Sequence, residues 1–186
     1  MRSIYLPPWR IDVDRRDGVM RLIPDAELAR VAARALDAAG APRPASLAVT
    51  LADDEALAAL NAIHMNVSGP TDVLSFPILP PVAFPAHEGA DGDGRDATDP
   101  VDRSPVFPLP PGARQPLGDV IVSVERAIAQ AERGRGGQTG DVRWSPADEL
   151  RLLVTHGTLH VCGWDHAEPR EEAAMRALER RLLSVH

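Results

Sequence analysis

Residues 145–166, SPADELRLLVTHGTLHVCGWDH, constrain the architecture more than any other stretch of this chain. Ser145 is a helix-capping residue, Pro146 suits the first helical position, and Asp148 stands three after the cap, where its side chain can reach back. Gly163 can take the left-handed conformation that ends a helix. The spacing therefore predicts a helix up to Cys162, with the chain reversing within three residues. His156 and His160 lie four apart and leave the same face of that helix about one turn apart. The reversal brings His166 back toward them.

Three of the six histidines in 186 residues fall within the eleven positions 156–166. Imidazole nitrogens so placed can converge on one zinc ion at roughly 2.1 Å, and three neutral histidines leave a fourth tetrahedral position open to water. One zinc ion per chain, held by His156, His160 and His166, is the expectation. The single cysteine, Cys162, excludes an intramolecular disulfide and a four-cysteine zinc site. It stands two residues from His160 and so turns to another side of the helix. Asp165 either accepts from an imidazole nitrogen or supports the turn. The three histidines and the glycine fit the metzincin frame HExxHxxGxxH, but Gly157 occupies the glutamate position. Glycine offers no proton acceptor, which argues against a metzincin-like peptidase.

Elsewhere the pattern alternates short strands with helices. Strands are expected at Trp9–Val13, Ser46–Thr50, Thr71–Phe76 and Leu117–Val124. Helices are expected at Pro24–Ala39, with Leu28, Val31, Ala32, Ala35 and Leu36 on its buried face, then from Asp53 to about Met65, and at Glu125–Arg133. Thr50 with Asp53 forms a short capping arrangement for the second helix. A closing helix, Arg170–Leu183, docks through Ala174, Leu178 and Leu182. The proline-, glycine- and aspartate-rich stretch Pro80–Pro116 reads as a surface insertion with a mobile centre, dispensable for folding. GRGGQTGD, residues 134–141, lacks the lysine followed by serine or threonine of a phosphate loop and reads as a connection.

Composition sets the remaining bounds. The length suits one α/β domain with a substantial core, spanning residues 1–186. No run of eighteen apolar residues occurs and no signal-like segment opens the chain, so a cytoplasmic protein with no membrane partner is expected. All twenty basic residues are arginine, as a biased genomic base composition would give. The net charge of −7 is uneven: His87–Arg103 carries six acids against two arginines, a local −4, leaving −3 elsewhere. Charge alone therefore does not decide for or against an RNA partner.

HGTLHVCGWDH, together with PTDVLSF at Pro70–Phe76 and LGDVIV at Leu117–Val122, resembles the YbeY family in residue identity, order and spacing. These are bacterial rRNA maturation factors regarded as zinc-dependent endoribonucleases. The resemblance covers the chain apart from Pro80–Pro116. It implies a small mixed β-sheet packed with helices, a zincin-like site on a helix and its following turn, and single-stranded RNA as substrate. It also implies action in 3′-end maturation of small-subunit ribosomal RNA, in association with the ribosomal small subunit or assembly proteins. A weakly active or inactive, zinc-stabilised ribosome assembly factor is the alternative.

One block departs from the family. Before PTDVLSF the family resemblance implies an arginine that contributes to activity, where this chain has Met65. His64 stands at a position where an aromatic residue is common, and Ser68 where an acid is expected. Methionine cannot pair with phosphate. Two roles are open to His64, phosphate binding when protonated or a neutral structural part. Asp119 either orients a metal histidine or holds its loop, and Ser75 either lines a substrate groove or is structural, with no base placed to make it a nucleophile.

Overall fold

A computed structural model of the chain describes residues 1–64, 69, 71–87, 110, 112–134 and 144–184. Its strands are β1 Arg2–Leu6, β2 Trp9–Arg15, β3 Ala45–Ala52, β4 Val73–Pro77 and β5 Gln115–Ser123. Its helices are α1 Asp25–Ala38, α2 Asp54–His64, α3 Val124–Arg133, α4 Pro146–Val161 and α5 Pro169–Leu183. The strands form one mixed sheet in the order β1-β2-β3-β5-β4. The pairs β2–β3 and β3–β5 are parallel, while β1–β2 and β4–β5 are antiparallel. The fold is the mixed α/β arrangement expected from the alternating elements.

Two local differences from the sequence expectation have simple causes. β1 was not anticipated, because RSIYL buries too little to show a core pattern; it forms by hairpin pairing, with Ile4 opposite Ile11 and Leu6 opposite Trp9. Thr50 belongs to β3, and Asp53 alone caps α2, its Oδ1 accepting from the Ala56 N–H at 2.8 Å.

One face of the sheet carries the core. Ile11 and Val13 on β2, Leu47 and Val49 on β3, and Val120 and Val122 on β5 are all buried and aligned by register. α1 lies on this face, fixed by Trp9 Nε1 donating to Asp37 Oδ1 at 3.1 Å. α4 packs beside α1, and Arg151 Nε donates across to Glu27 Oε1 at 2.9 Å. The other face is more polar: Arg10 pairs with Asp12 at 2.8 Å, and α2 covers only the β4–β5 end, where Leu74 is buried. Among the described residues no helix is long and apolar enough to cross a membrane.

The expected insertion is packed where its ends are described. Phe84 is buried in the core, Pro81 lies against Gly163, and Pro85 lies against Gly40. The His87 ring stacks on Trp164 with centroids 4.2 Å apart. At the far end, Gln115 and Pro116 already belong to β5. Residues 80–87 thus form a strap over the end of α4 that is anchored by Phe84, while 80–83, 85 and 86 stay exposed. Proline rings preset an extended path that can pack without regular structure, so composition alone understated this segment. The acidic centre, residues 88–109, lies outside the described residues.

α4 sits unusually close to the β4–β5 pair. A Cβ at Gly157 would lie 2.6 Å from Val120 Cγ1, 2.9 Å from Val73 Cγ2 and 3.2 Å from Ser75 Oγ. The Ser75 hydroxyl donates to the Gly157 carbonyl at 3.0 Å, locking the same contact. Both valines are stiff at χ1, so neither methyl can swing away freely. Gly157→Ala should cost about 1–3 kcal/mol by overpacking, measured as a lower urea midpoint in the metal-free protein. A midpoint indistinguishable from that of the parent would contradict the close seat.

Candidate metal centre

The helix that carries the first two histidines is fixed at both ends. Ser145 Oγ accepts from the Asp148 N–H at 3.2 Å and Asp148 Oδ2 accepts from the Ser145 N–H at 3.1 Å, completing the expected capping box. At the other end Gly163 has φ +83°, its N–H donates to the His160 carbonyl, and the Trp164 N–H donates to the Leu159 carbonyl. That is a Schellman stop, and it requires a residue that tolerates positive φ. Asp165 supports the turn after it, Oδ1 accepting from the His166 N–H at 2.7 Å.

These constraints bring the three histidines together. One ligand atom from each of His156, His160 and His166 lies within 4.8 Å of the others. His156 Nε2 and His160 Nε2 are 3.1 Å apart, close to the about 3.4 Å that two nitrogens would span on a tetrahedral zinc. The donor set, two half-buried imidazoles and one exposed one on a turn, fits a metal ion. Burial and the neighbouring His156 and His166 push the His160 pKa down to about 4, which keeps this ligand neutral and ready to coordinate at pH 7. Burial drives the Cys162 thiol the other way, up to about 12. Cys162 is packed in the core and takes no part in the cluster.

Two cavities meet at the histidines. One, of about 420 Å³, runs along β4 and is lined by Thr71, Val73 and Ser75 with all three histidines. The other, of about 180 Å³, is lined by His156 and His166 together with Met175, Arg176 and Glu179 of α5. Asp72 lines both. Its Oδ1 accepts from the Val73 N–H and its Oδ2 from Gln130 Nε2, each at 2.9 Å.

Of the other sequence candidates, Ser75 lines the larger cavity, but its hydroxyl is engaged with the Gly157 carbonyl. Asp119 is opposite Phe76 in the register and shares its face of the sheet, whereas Ser75 and Val120 face α4. It therefore cannot orient a metal histidine. His64, exposed at the end of α2, meets the Phe76 ring edge-on at 5.1 Å and also lies on that opposite face. Met65 lies outside the described residues. α5 docks through Leu178 and Leu182 of the expected row and, in addition, through the buried Met175 and Glu179, while Ala174 is only half-buried. Its Glu179 was missed, although an acid inside an otherwise apolar helix face was a visible signal. Glu179 is buried, and its Oε1 lies 2.7 Å from His156 Nδ1.

The depressed His160 pKa has a consequence for stability. The unfolded chain binds this proton near the ordinary value of 6.5, the folded chain only near 4. Between those values the unfolded state holds more protons, so stability should fall as pH drops through that window. Urea midpoints of the metal-free protein should decline from pH 6.5 to pH 4, and His160→Gln should flatten the decline. Equal slopes in both proteins would remove this assignment.

The family model described as Endoribonuclease YbeY matches residues 16–185. A curated relative named endoribonuclease YbeY from Symbiobacterium thermophilum is 39% identical over 158 residues, covering 83% of this chain and 81% of the relative. One of the same name from Salinispora tropica is 42% identical over 161 residues, covering 86% and 85%. The solution structure of TM1509 from Thermotoga maritima matches with a TM-score of 0.50 at 17% identity, covering 94% of this chain and 87% of that one, a likeness of fold. With a family match running almost end to end and its histidine motif folded into one cluster, the chain belongs to the YbeY endoribonuclease family.

Proposed function

We propose that this protein is a zinc-dependent endoribonuclease that cleaves single-stranded RNA in 3′-end maturation of small-subunit ribosomal RNA. It acts in the cytoplasm, with the ribosomal small subunit or its assembly proteins as partners. The observation that carries this reading is the convergence of three imidazoles on an open groove in a chain of the YbeY family. Bound zinc supplies Lewis acidity toward water and toward phosphoryl oxygen.

The chain supplies the placement. His156, His160 and His166 hold the ion, and β4 forms the groove wall. The Ser123 N–H donates to the Asp72 carbonyl and the Ile78 N–H to the Leu117 carbonyl, so even-numbered residues of this edge face β5. The backbone groups of Val73 and Ser75 are therefore turned to the open edge; those of Val73 are engaged by Asp72 Oδ1 and Thr71 Oγ1, which leaves Ser75 to meet the sugars and bases of an extended strand. Arg176, lining the smaller cavity, pairs with Glu172 at 2.5 Å. Both side chains are about two-fifths exposed, and such a pair is weak enough for the guanidinium to exchange onto a phosphate.

A peptidase reading meets a geometric obstacle as well as a chemical one. The position of the protease glutamate faces Val120 and Val73, with no room even for a methyl group. The reading as an assembly factor with little or no turnover has one observation in its favour, Met65 in place of the family arginine.

Purified protein should carry one zinc per chain and cleave a defined single-stranded RNA, with activity lost to a chelator and restored by zinc. His156→Ala and His160→Ala should each lose most of the metal and the cleavage. RNA binding without metal-dependent cleavage would favour the assembly-factor reading. Products ending in a 2′,3′-cyclic phosphate would assign the attack to the RNA 2′-hydroxyl, and linear ends formed directly would assign it to water.

Met65 provides a second test. Met65→Arg should raise single-turnover cleavage about tenfold, the effect of roughly 1.4 kcal/mol made only in the transition state. Zinc content and melting temperature should not change. Unaltered cleavage with unaltered stability would mean that position 65 does not face the phosphate.

A further inference from the structure

We infer that Glu179 is the positioning residue of the metal centre: its carboxylate holds His156 in the one tautomer and orientation that presents Nε2 to the ion. This rests on the zinc reading of the histidine cluster and extends the site from α4 and its turn to α5.

The contact is 2.7 Å between Glu179 Oε1 and His156 Nδ1, across 23 residues of sequence. A carboxylate only accepts, so Nδ1 must carry the proton. The lone pair of the neutral ring is then at Nε2, the atom that faces His160 Nε2 at 3.1 Å. The same hydrogen bond therefore settles the proton and the aim of the first ligand. The Glu179 side chain is only 10% exposed, on the buried face of α5 with Met175 and Leu178. A carboxylate placed there would be costly without a partner, and the imidazole N–H is the partner the described residues give it.

His156 benefits most from such a hold. His166 has its backbone tied by Asp165, and the position of His160 in the last turn of α4 is fixed by the Gly163 N–H bonding its carbonyl. The His156 ring, half-buried and a turn further from that stop, takes its orientation from Glu179. A carboxylate on the far nitrogen also raises the basicity of the ligating one, and losing such partners characteristically weakens a metal site 10–100-fold.

A purely structural tie between α4 and α5 would lower the melting temperature of Glu179 variants without a selective loss of zinc affinity, whereas a positioning role acts on the metal. Zinc affinity, measured by competition with a chromophoric chelator, should fall about tenfold or more in Glu179→Gln and further in Glu179→Ala. Melting of the metal-free Glu179→Gln protein should stay near that of the parent, since the amide oxygen can still accept from Nδ1. Nitrogen NMR of the zinc-loaded parent should show His156 protonated at Nδ1, and Glu179→Ala should disperse that signal. Zinc affinity within twofold of the parent in both Glu179 variants, while His156→Ala still loses the metal, would overturn the inference and leave the zinc reading standing. Failure of the parent and all variants alike to bind zinc would overturn both.

Discussion

The whole site depends on how closely α4 approaches the β4–β5 pair at Gly157. Without a Cβ the helix sinks between Val120 and Val73, and the Ser75 hydroxyl meets the Gly157 carbonyl directly. Gly157 and His156 are neighbours on a helix, so their side-chain directions differ by about 100°. When Gly157 faces into the sheet, His156 and His160 are turned along it, over β4 and toward the groove. A bulkier residue at 157 would lift the helix and carry both imidazoles away from the strand they now overlook. Packing density and ligand placement are one constraint here.

Three further contacts convert that seat into a converging cluster. The Schellman stop at Gly163 turns the chain so that His166 comes back to the helix. The strap at residues 80–87 backs the turn from outside, with Pro81 against Gly163 and His87 stacked on Trp164. α5 closes the remaining side through Met175, Leu178 and Glu179. Only the first of these is local in sequence. The other two bring residues about 80 and 23 positions away onto the same site, which is why the geometry belongs to the fold and not to the motif alone.

That distinction explains what the sequence disclosed. The capping box, the helix stop and the histidine triplet were legible because each rests on spacings of three or four residues, the range over which backbone geometry acts. The first half of the sheet was legible too, since Leu47, Val49 and Leu51 alternate plainly. β1 was not, because its pairing depends on a hairpin partner and not on its own apolar pattern. The strap was hidden by composition: prolines and a run of acids read as exposed, yet Phe84 is in the core. Asp119 and His64 looked like site residues only while the face of the sheet was unknown. Register settles it, since Asp119 pairs with Phe76 and both lie behind the groove. Glu179 could be suspected from its place in an apolar row, but its partner, 23 residues away, could not be named.

The close seat also limits where a protein base beside the three histidines can come from. It cannot come from α4 at position 157, where the sheet occupies the space a carboxylate would need. Nor can it come from Asp119, which faces the other way. On the groove side Glu179 is aimed at His156 Nδ1, and Ser75 is bonded to the helix. Asp72 differs from both in lining the two cavities at once, with its oxygens oriented by the Val73 N–H and by Gln130. Among the described residues Asp72 places a carboxylate on the β4 and α3 side of the histidines, and Glu172 of α5, which also lines the smaller cavity, is paired with Arg176. This chain and the metzincin frame thus share a histidine spacing but not the acid beside it: the methyl-sized volume at Gly157, filled by Val120 and Val73, leaves no room on α4 for the peptidase base.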